Sequence, residues 1–412
     1  MRILLSEGSG LTSRQTAGLL AASGHRVGVL SSDRTALTRW TRAVSAWHRV
    51  PPFGPDPLAW LDAALAVAAR HGYEMLLPTQ EQAAVMSWAV DRGAWPAGLA
   101  TAVPAFASLA RVQDKLSAAR TLDAFGVPRP RWAAIRDPGD VADWDAYPAF
   151  VKTPIGTASA GVRRVRCRGE LAAALRADPY AEALRGGGLL LEQEIDGPLA
   201  MVQAVFDRGR LVAFHANKRA AEGAGGGGGG ACHKESVLLP GVRDRIAQLG
   251  RGLGWHGALS ADVIADARGR HVVIDVNPRL VEPVNAWRSG TDLVGALVDA
   301  ARGRPPADRP SGRGGVRTHQ LLLSILGVAE RTGSRRAVWR EVVRASRHSG
   351  LYRGSAEELT PIRRDVRAAV PVVVALALAS LRPSLGGRMA DKGTGAYSIT
   401  PQGWDRLVRD EA

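Results

Sequence analysis

Asp262 and Asp275 stand thirteen residues apart, and Asn277 follows two residues after the second. The stretch from Asp262 to Arg279 reads as a β-hairpin whose turn is signalled by Asp266 and Gly269. A hairpin of that length sets its first and last residues opposite each other. Asn277 then shares a strand face with Asp275, because side chains alternate with a period of two. Two carboxylates and an amide oxygen are hard ligands that suit Mg²⁺, with Mn²⁺ as a substitute. Mg²⁺ takes few protein ligands and keeps its other positions for water and phosphate oxygens. Arg279 closes the run with a planar fork suited to a carboxylate or a phosphoryl group. The chemistry implied is metal-assisted handling of phosphate.

The chain around this hairpin has 412 residues, enough for two or three domains with a sizeable core. A hydrophobic content of 46% with 23% charged residues fits a globular protein. The first residues hold no apolar run of signal-peptide length. Two cysteines, Cys167 and Cys232, form no disulfide framework or metal spacing, which fits a reducing, cytoplasmic setting. The net charge of +15 raises nucleic-acid binding as an option. The basic residues are scattered and form no stripe interleaved with aromatics, which argues against it. Only five of the 54 basic residues are lysines: 115, 152, 218, 234 and 392. Lysine and arginine are not equivalent where a compact charge must meet phosphate, so each lysine is informative.

Residues 1–105 alternate strand and helix patterns, with strands expected near 2–5, 24–30 and 74–78 and helices over 12–22 and 57–71. This is an α/β domain with a parallel sheet. Its Gly8-Ser9-Gly10 turn lacks the full dinucleotide fingerprint. Residues 106–305 read as α+β, with a helix over 112–125 and strands near 149–152, 189–192, 200–206, 211–215, 258–265 and 272–276. Residues 306–315 are a Pro/Gly-rich linker, and 316–412 a mostly helical C-terminal extension. Within it, residues 368–381 are almost wholly apolar but too few to span a bilayer. A core helix or a homodimer contact is the expected role, with membrane-surface contact as the alternative.

Five motifs fall in a telling order. Asp114-Lys115-Leu116 opens a helix that ends at Gly126-Val127-Pro128-Arg129-Pro130. Tyr147-Pro148-Ala149-Phe150-Val151-Lys152 is a strand ending in lysine, running into a small-residue loop from Thr153 to Val162. Leu189-Leu190-Leu191-Glu192-Gln193-Glu194-Ile195-Asp196-Gly197-Pro198 leads to a turn. The Asp262, Asp275 and Asn277-Pro278-Arg279 hairpin comes last. This order resembles the ATP-grasp superfamily, which includes D-alanine–D-alanine ligase, biotin carboxylase, carbamoyl phosphate synthetase and many carboxylate–amine ligases. The resemblance covers about residues 110–300.

The resemblance implies an α/β domain followed by an α+β ATP-grasp fold. It implies that Lys115 and Lys152 meet the ATP phosphates and that Thr157, Ser159 and Gly161 sit in a loop closing over them. Glu192, Gln193 and Ile195 would receive adenine, while Asp262, Asp275 and Asn277 would hold Mg²⁺. Lys218, Arg219 and Arg279 would carry the catalytic charge on the transferred phosphoryl group and acyl phosphate. The glycine run Gly225–Gly230 would be a flap. Cys232-His233 reads weakly as a nucleophile, since nothing in sequence orients the pair. Departures stand beside these matches: Leu199 occupies the usual acidic ribose position, and Ser260 lies where many ligases carry arginine. Glu282 or Asn285 is expected to face the acceptor substrate. The activity implied joins a small carboxylate, activated as an acyl phosphate, to an amine. The alternatives are an enzyme making carboxyphosphate or a phosphorylated product without an amide, and a non-catalytic ATP-binding module.

Overall fold

The computed structural model describes residues 1–157, 159–222, 231–304, 307–382 and 394–409. Ala158 of the small-residue loop, the Gly225–Gly230 run and Pro306 of the expected linker lie outside the described residues. Three sheets follow one another in chain order. The first comprises β1 (Arg2–Leu5), β2 (Arg26–Ser31), β3 (Val44–Arg49) and β4 (Met75–Leu77), all parallel in the order β3-β2-β1-β4. The continuous apolar runs of β1 and β4 suit parallel strands covered on both faces, and Ile3 to Leu5 and Met75 to Leu77 are fully buried. Helices α1 (Leu11–Ala22), α2 (Pro57–Arg70) and α3 (Ala83–Asp91) pack here. Strand β3 was not expected: Val-Ser-Ala-Trp-His-Arg lacks an apolar run because an edge strand is only half covered.

A single helix over 112–125 was expected, but α4 (Phe106–Gln113) and α5 (Lys115–Ala124) divide at Asp114. Asp114 is extended at φ −82°, ψ 128°, and its carboxylate accepts the Ser117 N–H at 2.8 Å. It is therefore an N-cap, and it fixes Lys115 at the first helical position. The second sheet is antiparallel, β5 (Trp132–Ile135), β6 (Ala149–Lys152), β7 (Val162–Val165) and β8 (Leu189–Gln193), in the order β5-β8-β6-β7. Helices α6 (Arg168–Leu175) and α7 (Tyr180–Arg185) accompany it, and Leu171, Leu175 and Tyr180 share its buried cluster.

The third and largest sheet takes β9 (Leu199–Asp207), β10 (Arg210–Glu222), β11 (Ala231–Val237), β12 (Gly257–Ala265), β13 (His271–Asn277), β14 (Arg317–His319) and β15 (Ser355–Glu357). Its order is β13-β12-β9-β10-β11-β14-β15, antiparallel except for the last pair. Helices α8 (Pro240–Gly252), α9 (Val284–Ser289) and α10 (Leu293–Ala301) pack against these strands. The C-terminal extension adds α11 (Leu321–Thr332), α12 (Arg335–Ser346), α13 (Ala369–Leu381) and α14 (Pro401–Arg409) as well as the two short strands. Residues 307–315 are no loose spacer. Arg309 N–H donates to Val212 O and Arg313 N–H to Ser289 O, both at 2.8 Å. The C-terminal end returns to the first domain, where Ile399, Trp404 and Leu407 join the core around Phe53 and Phe106. Among the described residues no helix is long and apolar enough to cross a membrane.

Candidate active site

The hairpin carries a register shift between Asp262 and Val263, which sets the two aspartates opposite each other. Asp262 pairs directly with Asp275, and Ser260 with Asn277. The turn closes through Asp266 N–H to Arg270 O at 2.9 Å, with Gly269 in the left-handed region at φ 72°. Two carboxylates side by side in a buried place disfavour double ionisation. Burial first, and then the Asp275 charge, push Asp262 up to about 7, although Arg219, Arg279 and Lys152 pull the other way. Arg279 is held at the rim: its Nη2 reaches Asn277 Oδ1 at 3.3 Å and Thr157 Oγ1 at 3.4 Å.

Lys152 ends β6 and donates to Glu192 at 2.5 Å and to Ile274 O at 3.1 Å. Glu192 also accepts from Arg129 at 2.9 Å, so one buried carboxylate holds two cations. Lys115 donates to Gly156 O at 2.6 Å, tying the start of α5 to the loop after β6. That loop is tight. A Cβ on Gly161, at φ 72°, would lie 2.0 Å from Thr153 Oγ1, and one on Gly156 would lie 2.5 Å from Ala160 O. Glycine is required at both positions. Ser159 is itself left-handed at φ 66°.

These pieces line one cleft of about 370 Å³ between the three sheets. Its charged lining holds Lys115, Lys152, Arg219, Asp262, Asp275 and Arg279 with Asn277, joined by Gly156, Thr157 and Ser159 of the loop. Phe150, Val162, Leu199, Met201 and Ile274 make an apolar end suited to a planar base. The first domain contributes Leu11, Thr12 and Gln80, and the C-terminal segment contributes Tyr397.

Several expected positions are corrected. Lys218 does not face the cleft: it is exposed and pairs with Glu235 at 3.1 Å. Its neighbour Arg219 points inward instead, because successive strand residues face opposite sides. Gln193 and Ile195 do not line the cleft, and the Gln193 N–H is engaged by Arg131 O at 2.8 Å. Glu192 bonds Lys152 and lines a narrow adjoining slot that it shares with Lys115, Lys152, Asp275 and Ile274 of the cleft. Leu199, at the expected ribose position, lines the apolar end. Asn285 is fully buried, bonded to His215 at 2.9 Å and to Thr318 at 2.6 Å, so it does not face a substrate. The Cys232 thiol is pushed up by burial, which leaves it a poor nucleophile.

Lys234 escaped the sequence reading. It is buried in the cleft wall and donates to Glu282 and, at 2.8 Å, to Glu358. Its partners come from far away in the chain, so local sequence carried no sign of them. Phe150 was legible in principle, since it lies two residues before Lys152 on the same strand face.

The residues fit a magnesium-bound nucleotide. Hard oxygens from Asp262, Asp275 and Asn277 converge, and a dication would relieve the repulsion that keeps Asp262 partly protonated. Among the described residues no three His, Cys, Asp or Glu side chains gather as a metal site, so the amide and phosphate oxygens would complete the shell. Among the described residues, Asn217 Nδ2 and Arg279 Nε, on two side chains that line the cleft, are buried donors without a partner. Orphaned buried donors are costly unless an acceptor such as a phosphate or carboxylate reaches them.

Comparison with known proteins bears on this arrangement. No family model matches the chain. The biotin carboxylase domain of 2-oxoglutarate carboxylase from Hydrogenobacter thermophilus, solved with MgADP, ADP and bicarbonate, superimposes with a TM-score of 0.61 at 19% identity. That match covers 77% of this chain and 73% of the other. An ADP complex of N5-carboxyaminoimidazole ribonucleotide synthetase superimposes with a TM-score of 0.61 at 13% identity, covering 84% of this chain and 85% of that one. This chain has the ATP-grasp fold. In sequence, D-alanine–D-alanine ligase of Oleidesulfovibrio alaskensis is 33% identical over 162 residues, which are 36% of this chain and 47% of the ligase. This chain therefore matches less than half the length of that ATP-grasp relative.

Proposed function

We propose that the protein is an ATP- and Mg²⁺-dependent ligase that activates a small carboxylate as an acyl phosphate for attack by an amine. The observation that carries this reading is the paired Asp262 and Asp275, faced by Arg219, Arg279 and Lys152 in one cleft. A bound Mg²⁺ would neutralise charge on the phosphates as the γ-phosphoryl moves. Lys115 and Lys152 anchor the phosphate chain, and the Thr157-to-Gly161 loop covers it with backbone N–H groups. The apolar end at Phe150, Met201 and Ile274 takes the base. Arg219 and Arg279 hold the acid and the acyl phosphate, while the carboxylate oxygen attacks phosphorus and ADP departs. Glu282, on the acceptor side with Lys234, receives the ammonium of the amine and takes its proton. The enzyme's share is otherwise positioning and electrostatic stabilisation.

We read residues 1–105 as the preceding α/β domain, 106–305 as the ATP-grasp domain and 316–412 as a C-terminal extension, acting on small molecules in the cytoplasm. Exposed Val373, Val374 and Leu381 on α13 suit a subunit contact. A second reading, bicarbonate as the acid, is favoured by the bicarbonate in the similar carboxylase structure. Mg-ATP, hydroxylamine and a panel of carboxylates test the ligase, because hydroxylamine traps acyl phosphates whatever the natural amine. Hydroxamate from one class of acid, lost in Asp275→Asn, is the expected result. ADP release that depends on bicarbonate alone would move the second reading to the front. ATP binding without turnover under any condition would contradict both.

A further inference from the structure

Lys234 meets two carboxylates where one would neutralise it. Glu282 Oε2 and Glu358 Oε2 both accept from its Nζ, and Gln320 Nε2 donates to the same two oxygens. Gln15 of α1 adds a further donor to Glu358 Oε2 at 3.3 Å. Lys234, Glu282, Glu358 and Gln320 are all buried, yet only Lys234 and Glu282 line the cleft. Glu282 is left-handed at φ 55°, a conformation that side chains other than glycine adopt only when their surroundings hold them. Its N–H donates to Thr12 Oγ1 at 3.2 Å. Its Oε2 is thus tied down, while among the described residues no protein donor is bonded to Oε1.

We infer that Glu358 and Gln320, both supplied by the C-terminal extension, are positioning residues for the Lys234–Glu282 pair, so that the extension completes the acceptor side of the cleft. This rests on the ligase reading for its catalytic consequence but not for its geometry. Glu357 and Glu358 divide the labour at the end of β15. Glu357 accepts the N–H groups of Leu321, Leu359 and Thr360, which anchors the extension, and Glu358 turns inward to Lys234. Burial alone would lower the lysine's proton affinity; the two carboxylates outweigh it and keep Lys234 charged. Held between the two carboxylates, Lys234 fixes Glu282 Oε2 from the side of the extension and leaves Oε1 to an incoming ammonium.

The other charged groups of this wall are Arg219 and Arg279. From α1 come neutral Thr12 and Gln15 and the buried Arg14, whose guanidinium donates to Leu359 O at 3.3 Å and faces Asp365 and Glu357. His215 of β10 also senses Lys234, but burial pushes it down to about 4, so it is uncharged at assay pH. Neutralising Glu358 therefore removes one of the two carboxylates that keep Lys234 charged, and removing the Gln320 amide removes the donor that bridges Glu282 Oε2 and Glu358 Oε2.

Five lysines make ¹³Cε-lysine spectra of the full chain tractable, with Lys234→Arg assigning the signal. In Glu358→Gln the Lys234 signal should move and titrate at lower pH than in the wild type. An unchanged signal and midpoint would overturn the inference, with or without turnover. In amide formation from the acid chosen from the panel with amino acids offered as amines, Glu358→Gln and Gln320→Met should each raise the KM for the amine by about tenfold, while the KM for ATP stays within about twofold, since neither touches the nucleotide side. An amine KM at the wild-type value, with kcat alone reduced, would leave the two residues a structural role and overturn the inference. If Glu358→Gln does not fold, Gln320→Met carries both readouts. A responsive Lys234 signal in a protein that turns over no ATP would uphold the positioning and remove the ligase reading instead.

Discussion

Arg219 and Lys218 are adjacent basic residues with opposite fates, and the difference is one of strand parity. Arg219 lines the cleft beside Asp262, while Lys218 faces solvent and Glu235. Arg219→Ala should lower ATP turnover by about 10²- to 10³-fold, the usual effect of removing one preorganised charge from a phosphoryl-transfer site. Lys218→Ala should stay within about twofold, because exposed ion pairs contribute little. Steady-state ADP release compares the two directly; equal losses would place the wrong residue in the cleft. From the sequence both looked suitable, and parity could not be read because β10 is irregular against β11 beyond Arg219. Lys234 was hidden for a different reason. Its partners Glu282 and Glu358 lie 48 and 124 residues away, so no local pattern marks it.

Elements carry these side chains, and their ends decide where the charges sit. Asp114 starts α5 as its N-cap and so aims Lys115 at the loop after β6. Asp114→Ala should cost about 1 kcal/mol of stability and raise the KM for ATP, because the first turn of α5 loosens. Chemical denaturation and steady-state kinetics measure the two effects, and stability unchanged to within error would deny the cap its role. The hairpin was legible from its period of two and its Asp266–Gly269 turn, whereas the register shift between Asp262 and Val263 that sets Asp262 opposite Asp275 was not. The break at Asp114 was not, since residues on both sides have good helix propensity and a cap announces itself only by its geometry. The three-residue strands β14 and β15 were equally silent. They are too short for periodicity and exist because β11 offers an edge to β14, and β14 one to β15.

At the scale of the whole molecule, the extension is stitched to the central sheet through buried neutral histidines. His233 and His319 pack their rings against Tyr352 at 4.7 and 4.8 Å, and His215 lies within β10. Burial pushes all three down to about 4. Unfolded histidine takes its proton near 6.5. The neutral native form is therefore fully favoured above that pH, and stability is lost as pH falls from about 6.5 towards 4. Each histidine gives a slope of roughly 1.4 kcal/mol per pH unit within that window. Urea midpoints should fall steadily between pH 7 and pH 5. His233→Phe should flatten the fall, because the His233 Nδ1 has no partner to lose. A midpoint independent of pH across that range would contradict the burial assigned to these rings. The general architecture was legible from the alternation of strands and helices and from the order of the motifs. What sequence did not reveal is how the extension folds back into the site, since that depends on contacts made only in the finished molecule.

The central claim is that a carboxylate is phosphorylated before any amine arrives, and positional isotope exchange tests it most directly. ATP labelled with ¹⁸O in the β,γ-bridge is incubated with Mg²⁺ and the acid chosen from the carboxylate panel, without an amine. Reversible acyl-phosphate formation lets the β-phosphate of bound ADP rotate, so the label should scramble into the non-bridging positions. Scrambling should require the acid and vanish in Asp275→Asn. Amide formed at full rate when the amine is added, with no scrambling at any acid concentration beforehand, would contradict the account.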